Sequence, residues 1–163
     1  MISFRESRIE DHEEIARCVS AVARERKYLA TVEGFTSQET RKFLESLGYW
    51  AGVQIVALDG RKIVGWCDVL PLPFEGMRHV GRLGMGVLAT HRRQGLGRRL
   101  LEETLPRARE RGIWRIELDV FASNERAKRL YESKGFVVEG RKRLARALDG
   151  VEEDIFLMAL LNR

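Results

Sequence analysis

The feature that most constrains this chain is a glycine-containing turn between a strand-like run and a leucine-rich helix, within residues 83–101. The strand-like run ends near Val87 and is followed by Arg92, Gly95 and Gly97. Because the first amides of a helix lack intrahelical acceptors and the helix dipole favours an anion, such a strand–turn–helix unit can bind phosphate. Glycines let an anion approach the backbone without obstruction by a Cβ atom. The pattern predicts a protein that binds a phosphate-containing cofactor.

The spacing of the turn residues narrows the choice of cofactor. Gly95-Leu96-Gly97 lacks the further glycine of the dinucleotide fingerprint, and no Gly-Lys-Ser/Thr follows to hold a nucleoside triphosphate. Arg92, Gly95 and Gly97, after Met85-Gly86-Val87, resemble the pyrophosphate-binding motif of the GNAT family of N-acetyltransferases, which binds acetyl-coenzyme A. The alternative is a glycine-rich connection that holds no ligand.

A second segment resembles another motif of the same family. Residues 113–120 alternate as a strand does, and Asn124 then begins a helix that contains Tyr131 and ends near Gly135-Phe136. Both motifs occur in the order and at the separation that the family shows. The resemblance extends over nearly the whole chain and is specific from about residue 80 to residue 140.

The remaining elements are predicted from periodicity, caps and turn residues. A helix is expected over Asp11–Arg26 with an Asp cap, and a second helix from Thr36 or Ser37 with a cap but not a full capping box. The glycine turn is followed by a helix over Gly95–Arg111, in which Pro106 is expected to cause a kink. The predicted strands are Ile2–Arg8, Ala51–Leu58, Lys62–Val69, residues 78–89, Ile113–Val120, Val137–Leu148 and Val151–Leu161, with hairpin turns at Asp59-Gly60 and Asp149-Gly150.

These elements predict one α/β domain over residues 1–163, built on a mixed sheet with helices on both faces. Residues 80–120 would supply a parallel β-crossover. The resemblance implies the GNAT-like acyl-CoA N-acyltransferase fold, with about seven strands, about four helices and a V-shaped splay between the strands ending near Val87 and Val120. Gly84 and Gly86 are compatible with a bulged strand that a ligand approaches.

Composition fits a soluble cytoplasmic protein. The 163 residues are 44% hydrophobic and 33% charged, which is typical of a folded globular domain. No run approaches the ~18 apolar residues of a membrane span, and the N-terminus is too charged for a signal peptide. The sequence therefore predicts no membrane association.

The net charge of +5 does not by itself indicate nucleic-acid binding, because basic residues alternate with acidic ones and no basic tail exists. A local excess surrounds the glycine turn and the following helix, and it suits the phosphates of coenzyme A. Its members are Arg92, Arg93, Arg98, Arg99, Arg126, Lys128 and Arg129.

Cysteine and histidine usage predicts neither disulfides nor a metal site. Cys18 lies on the apolar face of the first helix and Cys67 lies in a strand, so both are interpreted as buried thiols. His12, His79 and His91 lack the spacing of metal ligands.

The resemblance assigns roles to residues of both motifs. The amide of Val87 would polarise the thioester carbonyl, the amides from Arg93 or Gln94 through Arg98 would hold the pyrophosphate, Asn124 would contact the cofactor arm, and Tyr131 would be the general acid. As alternatives, Asn124 is only a helix cap, Tyr131 a core aromatic and Arg92 a surface arginine. The full set of cofactor residues is Met85, Gly86, Val87, Arg92, Arg93, Gln94, Gly95, Leu96, Gly97, Arg98, Asn124 and Tyr131.

The general base is left open by the sequence. Many members of the family carry a glutamate in the strand before the glycine turn, but Arg82–Val87 contains no carboxylate. The candidates elsewhere are Glu33, Glu75, His79 and Asp119, with a water chain as the alternative.

The end of the chain, from Glu139 to Ala159, resembles the subgroup that acetylates amino acids and related amines. The resemblance therefore implies transfer of acetyl from acetyl-CoA to a small primary amine by direct attack in a ternary complex. The alternatives are a protein N-terminal or lysine acetyltransferase and a non-catalytic coenzyme A sensor. The family implies a homodimer through the terminal strands. Trp50, Trp66, Tyr28 and Phe74 could line the acceptor pocket or belong to the core.

Overall fold

A seven-stranded mixed sheet with strand order β1-β2-β3-β4-β5-β7-β6 forms the centre of the computed structural model, which describes residues 1–163. The strands are β1 (Ile2–Glu6), β2 (Val53–Asp59), β3 (Lys62–Pro71), β4 (Val80–Val87), β5 (Arg115–Phe121), β6 (Val137–Leu148) and β7 (Val151–Leu161). The helices are α1 (His12–Ala23), α2 (Ser37–Trp50), α3 (Leu96–Glu110) and α4 (Glu125–Ser133), with short 3-10 turns at Ile9–Asp11, Glu75–Met77 and Ala89–His91. The predicted fold class is confirmed.

The parallel contact between β4 and β5 is short. Only Val80–Arg82 pairs with Arg115–Glu117, whereas β4 continues beside β3 as far as Val87 and β5 continues beside β7 as far as Phe121. The C-terminal halves of β4 and β5 are therefore separated by a gap, here called the β4–β5 gap. The predicted splay is confirmed.

The bulge with which Gly84 and Gly86 are compatible is absent from β4. β4 pairs with β3 in continuous register, so neither glycine interrupts the ladder. A Cβ atom at Gly86 would lie 2.4 Å from the ring of Trp66, and one at Gly84 would lie 3.3 Å from the carboxylate of Asp68. The glycines instead make room for side chains of the neighbouring strand.

The two faces of the sheet are covered by different helices. A Cβ atom at Gly65 would lie 3.3 Å from Leu100 of α3, whereas one at Gly52 would lie 2.7 Å from Leu47 of α2. Because strand side chains alternate, Cys67 and Met85 lie on the face of α3 and α4. Trp66, Asp68, Gly84 and Gly86 share the opposite face, called the α1/α2 face.

The core joins the sheet to the helices on both faces. Fully buried side chains include Ile15 on α1, Ile55 on β2, Leu100 on α3 and Ile116 on β5. Cys18 and Cys67 are also buried, and burial raises the pKa of the Cys18 thiol to about 12. No helix combines the length and apolar composition needed to cross a membrane.

Both N-terminal caps differ from prediction. The Asp11 carboxylate does not cap α1, because it accepts hydrogen bonds from the Arg5 guanidinium (2.7 and 2.9 Å) and the Arg8 amide (2.7 Å). At α2, Thr36 accepts from the Glu39 amide while Glu39 accepts from the Thr36 amide, which completes the capping box. The side chain of Glu39, three residues after the cap, reaches back to the Thr36 amide, and this is the half of the capping box that the prediction omitted.

Two glycines provide a matched test of packing. A Cβ atom at Gly81 would lie 2.4 Å from Val69 and 2.7 Å from Ile113, whereas one at Gly48 on α2 would contact nothing within 4 Å. We expect Gly81→Ala to lower the free energy of unfolding by about 1–3 kcal/mol through overpacking. Gly48→Ala should raise it by about 0.5–1 kcal/mol through helix propensity. Urea titrations followed by circular dichroism measure both, and equal changes would contradict this account of the core.

Candidate active site

The N-terminus of α3 has the features of an anion site. Gly95 is the N-cap with a φ of +79°, no side chain caps the helix, and its first turn contains no acidic residue. The amide of Arg99 is the first to bond within the helix, to the Gly95 carbonyl at 3.1 Å. The preceding amides of Leu96, Gly97 and Arg98 are therefore directed outward without an intrahelical acceptor.

Arg92 ties this turn to the rest of the molecule. Its guanidinium binds both oxygens of Glu25, at 3.1 and 2.5 Å, and its Nε donates to the Val87 carbonyl at 2.9 Å. The same guanidinium lies over the Tyr28 ring, 4.6 Å from its centroid. The side chain thus joins the end of β4 to residues 24–36, called the α1–α2 segment.

The predicted basic cluster divides into paired and unpaired members. Besides Arg92, Arg99 pairs with Glu103 on α3, and Lys128 pairs with Glu132 on α4. The unpaired members are exposed and lie around the N-terminal ends of α3 and α4; they are Arg93, Arg98, Arg126 and Arg129. Their uncompensated positive charge strengthens the attraction for an anion at the turn.

The β4–β5 gap is lined by backbone amides of β4. The amide of Leu88 donates to the Val64 carbonyl at 2.8 Å. Because hydrogen-bonded pairs alternate along an antiparallel ladder, Gly86 also bonds toward β3, whereas Met85 and Val87 direct their amides to the opposite side. That side faces the gap, where β5 provides no partner.

Asn124 and Tyr131 both belong to α4, the helix that follows β5: Asn124 lies at its start and Tyr131 within it. Asn124 is the N-cap of α4, and its Oδ1 accepts from the Ala127 amide at 3.3 Å, so its predicted capping role is present. Tyr131 is 8% exposed and packs against Phe136 at 5.7 Å between ring centroids. Burial raises the pKa of its phenol, with a further contribution from the side chain of Cys67 on β3.

On the α1/α2 face, charged side chains flank the gap. Arg82 on β4 contacts Glu117 at 3.6 Å and Asp119 at 3.2 Å, both on β5, and Lys142 on β6 lies 3.8 Å from Asp119. Asp119, one of the predicted base candidates, is therefore already paired with two cations. Trp66 is 4% exposed and packs beside the gap against Gly86.

The other base candidates lie away from the gap. Glu33 is exposed in the α1–α2 segment, and Glu75 is exposed in a 3-10 turn before β4. His79 stacks on Trp114, with ring centroids 4.3 Å apart, at the end of β4 opposite Val87. His12 and His91 have separate partners as well: Ser37 for the former, Asp59 and Thr90 for the latter.

The aromatic residues predicted for an acceptor pocket do not form one cluster. Trp66 lies at the gap, and Tyr28 lies under Arg92 at its edge. Phe74 is 63% exposed after β3, and Trp50 packs edge to face with Tyr49 at the end of α2.

Sequence reasoning missed Asp68 and Gln54, which lie on β3 and β2 on the α1/α2 face. Gln54 Nε2 donates to Asp68 Oδ2 at 3.3 Å, and Asp68 faces Gly84 of β4. Burial raises the pKa of the Asp68 carboxyl to about 7, while hydrogen bonds from Gln54 and the Gly84 backbone act in the opposite direction. The available signal was one polar residue in the interior of each of two strands, β2 and β3, whose other interior residues are apolar.

A bridge also crosses the gap on this face. The Arg26 guanidinium of the α1–α2 segment binds both oxygens of Asp149 at the β6–β7 turn, at 2.9 and 2.8 Å. Arg146 adds a hydrogen bond to the Arg26 carbonyl at 2.9 Å. α1 packs beside β3 and β4, whereas β6 and β7 lie beyond β5, so the bridge connects the two sides of the gap.

Known proteins share this architecture. A solved acetyltransferase of the GNAT family from Streptococcus pneumoniae is 28% identical, with a TM-score of 0.90 and 99% of each chain covered. A Salmonella typhimurium protein described as an acetyltransferase, solved with its cofactor acetyl-CoA, is 19% identical, with a TM-score of 0.92, and the match covers 99% of this chain and 94% of that one. The second likeness shows the fold alone.

Sequence comparison gives a partial relative and a family. The ribosomal protein bS18-alanine N-acetyltransferase of Escherichia coli is 44% identical over 71 residues, which cover 43% of this chain and 47% of that protein. The match thus spans about half the length of this curated relative. The acetyltransferase (GNAT) family model matches residues 10–136, which include both motifs, the gap and the anion site. The chain belongs to the acetyltransferase (GNAT) family.

Proposed function

We propose that this protein transfers the acetyl group of acetyl-CoA to a primary amine, with a small molecule such as an amino acid as acceptor. The observation that carries the proposal is the N-terminus of α3, which no side chain caps and which unpaired arginines surround. It follows β4, whose Met85 and Val87 amides face the open β4–β5 gap. A pyrophosphate fits the first feature, and an extended thioester arm fits the second.

The residues of the anion site fit the pyrophosphate of the cofactor. The amides from Gln94 to Arg98 would donate to its oxygens, and a Cβ atom at Gly95 would meet open space, so the approach to the turn is clear. Arg93 and Arg98 would add charge. In this proposal Arg92 acts through Glu25 and Val87 by holding the turn in place, because its guanidinium is already engaged.

The gap fits the thioester arm. The amides of Met85 and Val87 face it and supply donors for the arm and for the carbonyl oxygen of the acetyl group, where negative charge develops during attack. Asn124 uses Oδ1 as a cap, which leaves its Nδ2 available as a donor to the arm.

Tyr131 is proposed as the general acid. No protein group hydrogen-bonds its hydroxyl, and the hydroxyl is not among the fully buried polar atoms without partners, so it borders accessible space. Because burial raises its pKa, the phenol stays protonated at neutral pH and can protonate the departing thiolate. No covalent enzyme intermediate is needed, since the amine can attack the thioester directly.

The bridge across the gap supports a small acceptor. The contacts of Arg26 with Asp149 and Arg146 close the α1/α2 face of the gap on its outer side, which limits the room for a polypeptide. A protein N-terminal amine is the second candidate, because the Escherichia coli relative is named for an alanine of a ribosomal protein. Both candidates present a primary amine to the same site.

The acceptor class is separated by one assay. Thiol release from acetyl-CoA is measured with free amino acids, polyamines and short peptides with free N-termini. Turnover with free amino acids or polyamines supports the small-molecule proposal, and turnover with peptides alone supports the second candidate. Acetyl-CoA binding without turnover on any of these amines would favour the coenzyme A sensor.

Reversing one charge beside the anion site tests cofactor binding. Arg98→Glu places a carboxylate in the first turn of α3, whereas Arg109→Glu makes the same change in its last turn. We expect the first variant to weaken acetyl-CoA binding on the order of tenfold or more and the second to change it little, because the effect of helix-end charge is local. Calorimetric titration measures both. Equal losses, or no binding by the wild-type protein, would contradict the proposed site.

Removing one hydroxyl tests the general acid. Tyr131→Phe should lower kcat on the order of 10²-fold while leaving acetyl-CoA affinity near the wild-type value, because the ring that packs against Phe136 is retained. Tyr49→Phe is the matched control, since Tyr49 is 80% exposed on α2. Steady-state kinetics and calorimetry provide the two readouts. Unchanged kcat in Tyr131→Phe would leave Tyr131 as a packing residue.

A further inference from the structure

On the α1/α2 face, the neighbouring side chains of Gln54 and Asp68 have more hydrogen-bond acceptor atoms than there are donors in contact with them. Gln54 is 4% exposed, and its Oε1 is the one fully buried side-chain polar atom without a hydrogen-bond partner. Its Nε2 donates to Asp68 Oδ2 at 3.3 Å, so the unpartnered oxygen lies next to the carboxylate. A buried acceptor without a donor destabilises a fold, and a ligand with N–H groups would supply the missing donor.

The Asp68 carboxylate also lacks a cation. It forms no ion pair, and only burial, Gln54 and the Gly84 backbone shift its pKa. The charged groups flanking the gap on the same face are Arg82 of β4, Glu117 and Asp119 of β5 and Lys142 of β6, which pair with one another. α1 and α2, which cover this face, bring no cation into ion-pair contact with Asp68. Buried carboxylates in proteins are normally paired, so this site fits an incoming cation.

Gly84 keeps the carboxylate uncovered. It lies opposite Asp68 in the β3–β4 ladder, and a Cβ atom there would lie 3.3 Å from Asp68 Oδ1. The next residue of β4 is Met85, whose amide faces the gap. The carboxylate therefore has no β4 side chain over it and lies within one strand step of the backbone donors proposed for the acetyl group.

Resting on the proposed function, we propose that Asp68 and Gln54 form the subsite for the acceptor amine, in which Asp68 is the general base. The acceptor arrives as an ammonium ion over Gly84. Its N–H groups donate to the Asp68 carboxylate and to Gln54 Oε1, and Asp68 then takes one proton.

The protons of the transfer reaction balance with Asp68, Tyr131 and solvent as the only donors and acceptors besides the substrates. The ammonium gives its first proton to Asp68, and the neutral nitrogen forms a bond to the carbonyl carbon. As the carbon–sulfur bond breaks, its electron pair stays on sulfur, and Tyr131 protonates that thiolate. The nitrogen then loses its second proton, which restores the Tyr131 phenol through solvent. Asp68 releases the first proton to solvent, so the net products are the amide, the thiol and one proton.

The environment of Asp68 suits this role better than that of Asp119. A base works best when its pKa lies near the working pH, and burial raises the pKa of Asp68 to about 7. Asp119 is exposed, and its carboxylate is already engaged by two cations, Arg82 at 3.2 Å and Lys142 at 3.8 Å.

The pH dependence of turnover tests the assignment. In the wild-type protein, Asp68 is protonated below pH ~7 and cannot accept a proton, so kcat/KM should fall on that side. Asp68→Asn should lower kcat/KM at pH 7 on the order of 10²-fold or more and remove this acidic limb. Its activity should recover as rising pH increases the fraction of neutral amine. Glu45→Gln, a surface carboxylate on α2 paired with Arg41, is the control.

A second variant covers the case in which Asp68→Asn does not fold. Gly84→Ala keeps the carboxylate but partly covers it, so it should raise KM for the amine while acetyl-CoA affinity stays near the wild-type value. A wild-type pH profile in Asp68→Asn, or unchanged amine kinetics in Gly84→Ala, overturns the subsite. The subsite is also overturned if the acidic limb of the pH profile disappears in Asp119→Asn and persists in Asp68→Asn.

A measurement without turnover separates this proposal from the proposed function. The carboxyl carbon of Asp68, labelled with ¹³C and assigned through Asp68→Asn, is titrated in the protein saturated with coenzyme A, with and without methylammonium chloride. Binding of the cation should lower the pKa of Asp68, and an unchanged pKa overturns the subsite. Failure of the wild-type protein to bind acetyl-CoA overturns the proposed function instead.

Discussion

The short pairing between β4 and β5 is the constraint on which the rest of the site depends. Three residues of each strand pair, and the strands then follow different neighbours, β3 on one side and β7 on the other. Backbone amides that a longer ladder would have used remain directed into the gap. Unpaired backbone groups inside a fold are costly unless something binds them, so the sheet creates donors for an extended ligand at its own centre.

Polar contacts fix the positions of both edges of the β4–β5 gap. Arg92 joins the Val87 carbonyl at the end of β4 to Glu25 of the α1–α2 segment. Arg26 of the same segment joins Asp149 at the far hairpin. Exposed ion pairs each contribute little stability, but these two fix the position of one segment relative to both sides of the gap. Their value lies in geometry, and their loss would be expected to alter ligand affinity more than folding.

Much of this arrangement could be predicted from the sequence, and the limits have physical causes. Element order, both hairpins and the glycine turn follow from local periodicity and turn chemistry, which short windows of sequence contain. The partners of Arg92 and Asp68 could not be found in this way, because Glu25 is distant from Arg92 in the chain, and the pairing of Gln54 with Asp68 depends on the register of the β2–β3 hairpin, which shifts between Ala57 and Leu58. The cap at Asp11 failed for a local reason, since Arg5 of β1 and the Arg8 amide use its carboxylate before α1 begins.

The glycines of β4 connect the two halves of the site. The proposed cofactor half relies on the backbone amides of Met85 and Val87, which substitutions barely alter. The proposed acceptor half relies on side chains, and at Gly84 and Gly86 β4 contributes none, so that Trp66 and Asp68 of β3 occupy the space that β4 side chains would otherwise fill. The strand before the turn can therefore lack a carboxylate and still border one. The Asp68 carboxylate belongs to β3, and the missing side chain that leaves it uncovered is that of Gly84 on β4. This arrangement can be recognised only once the register of the sheet is known.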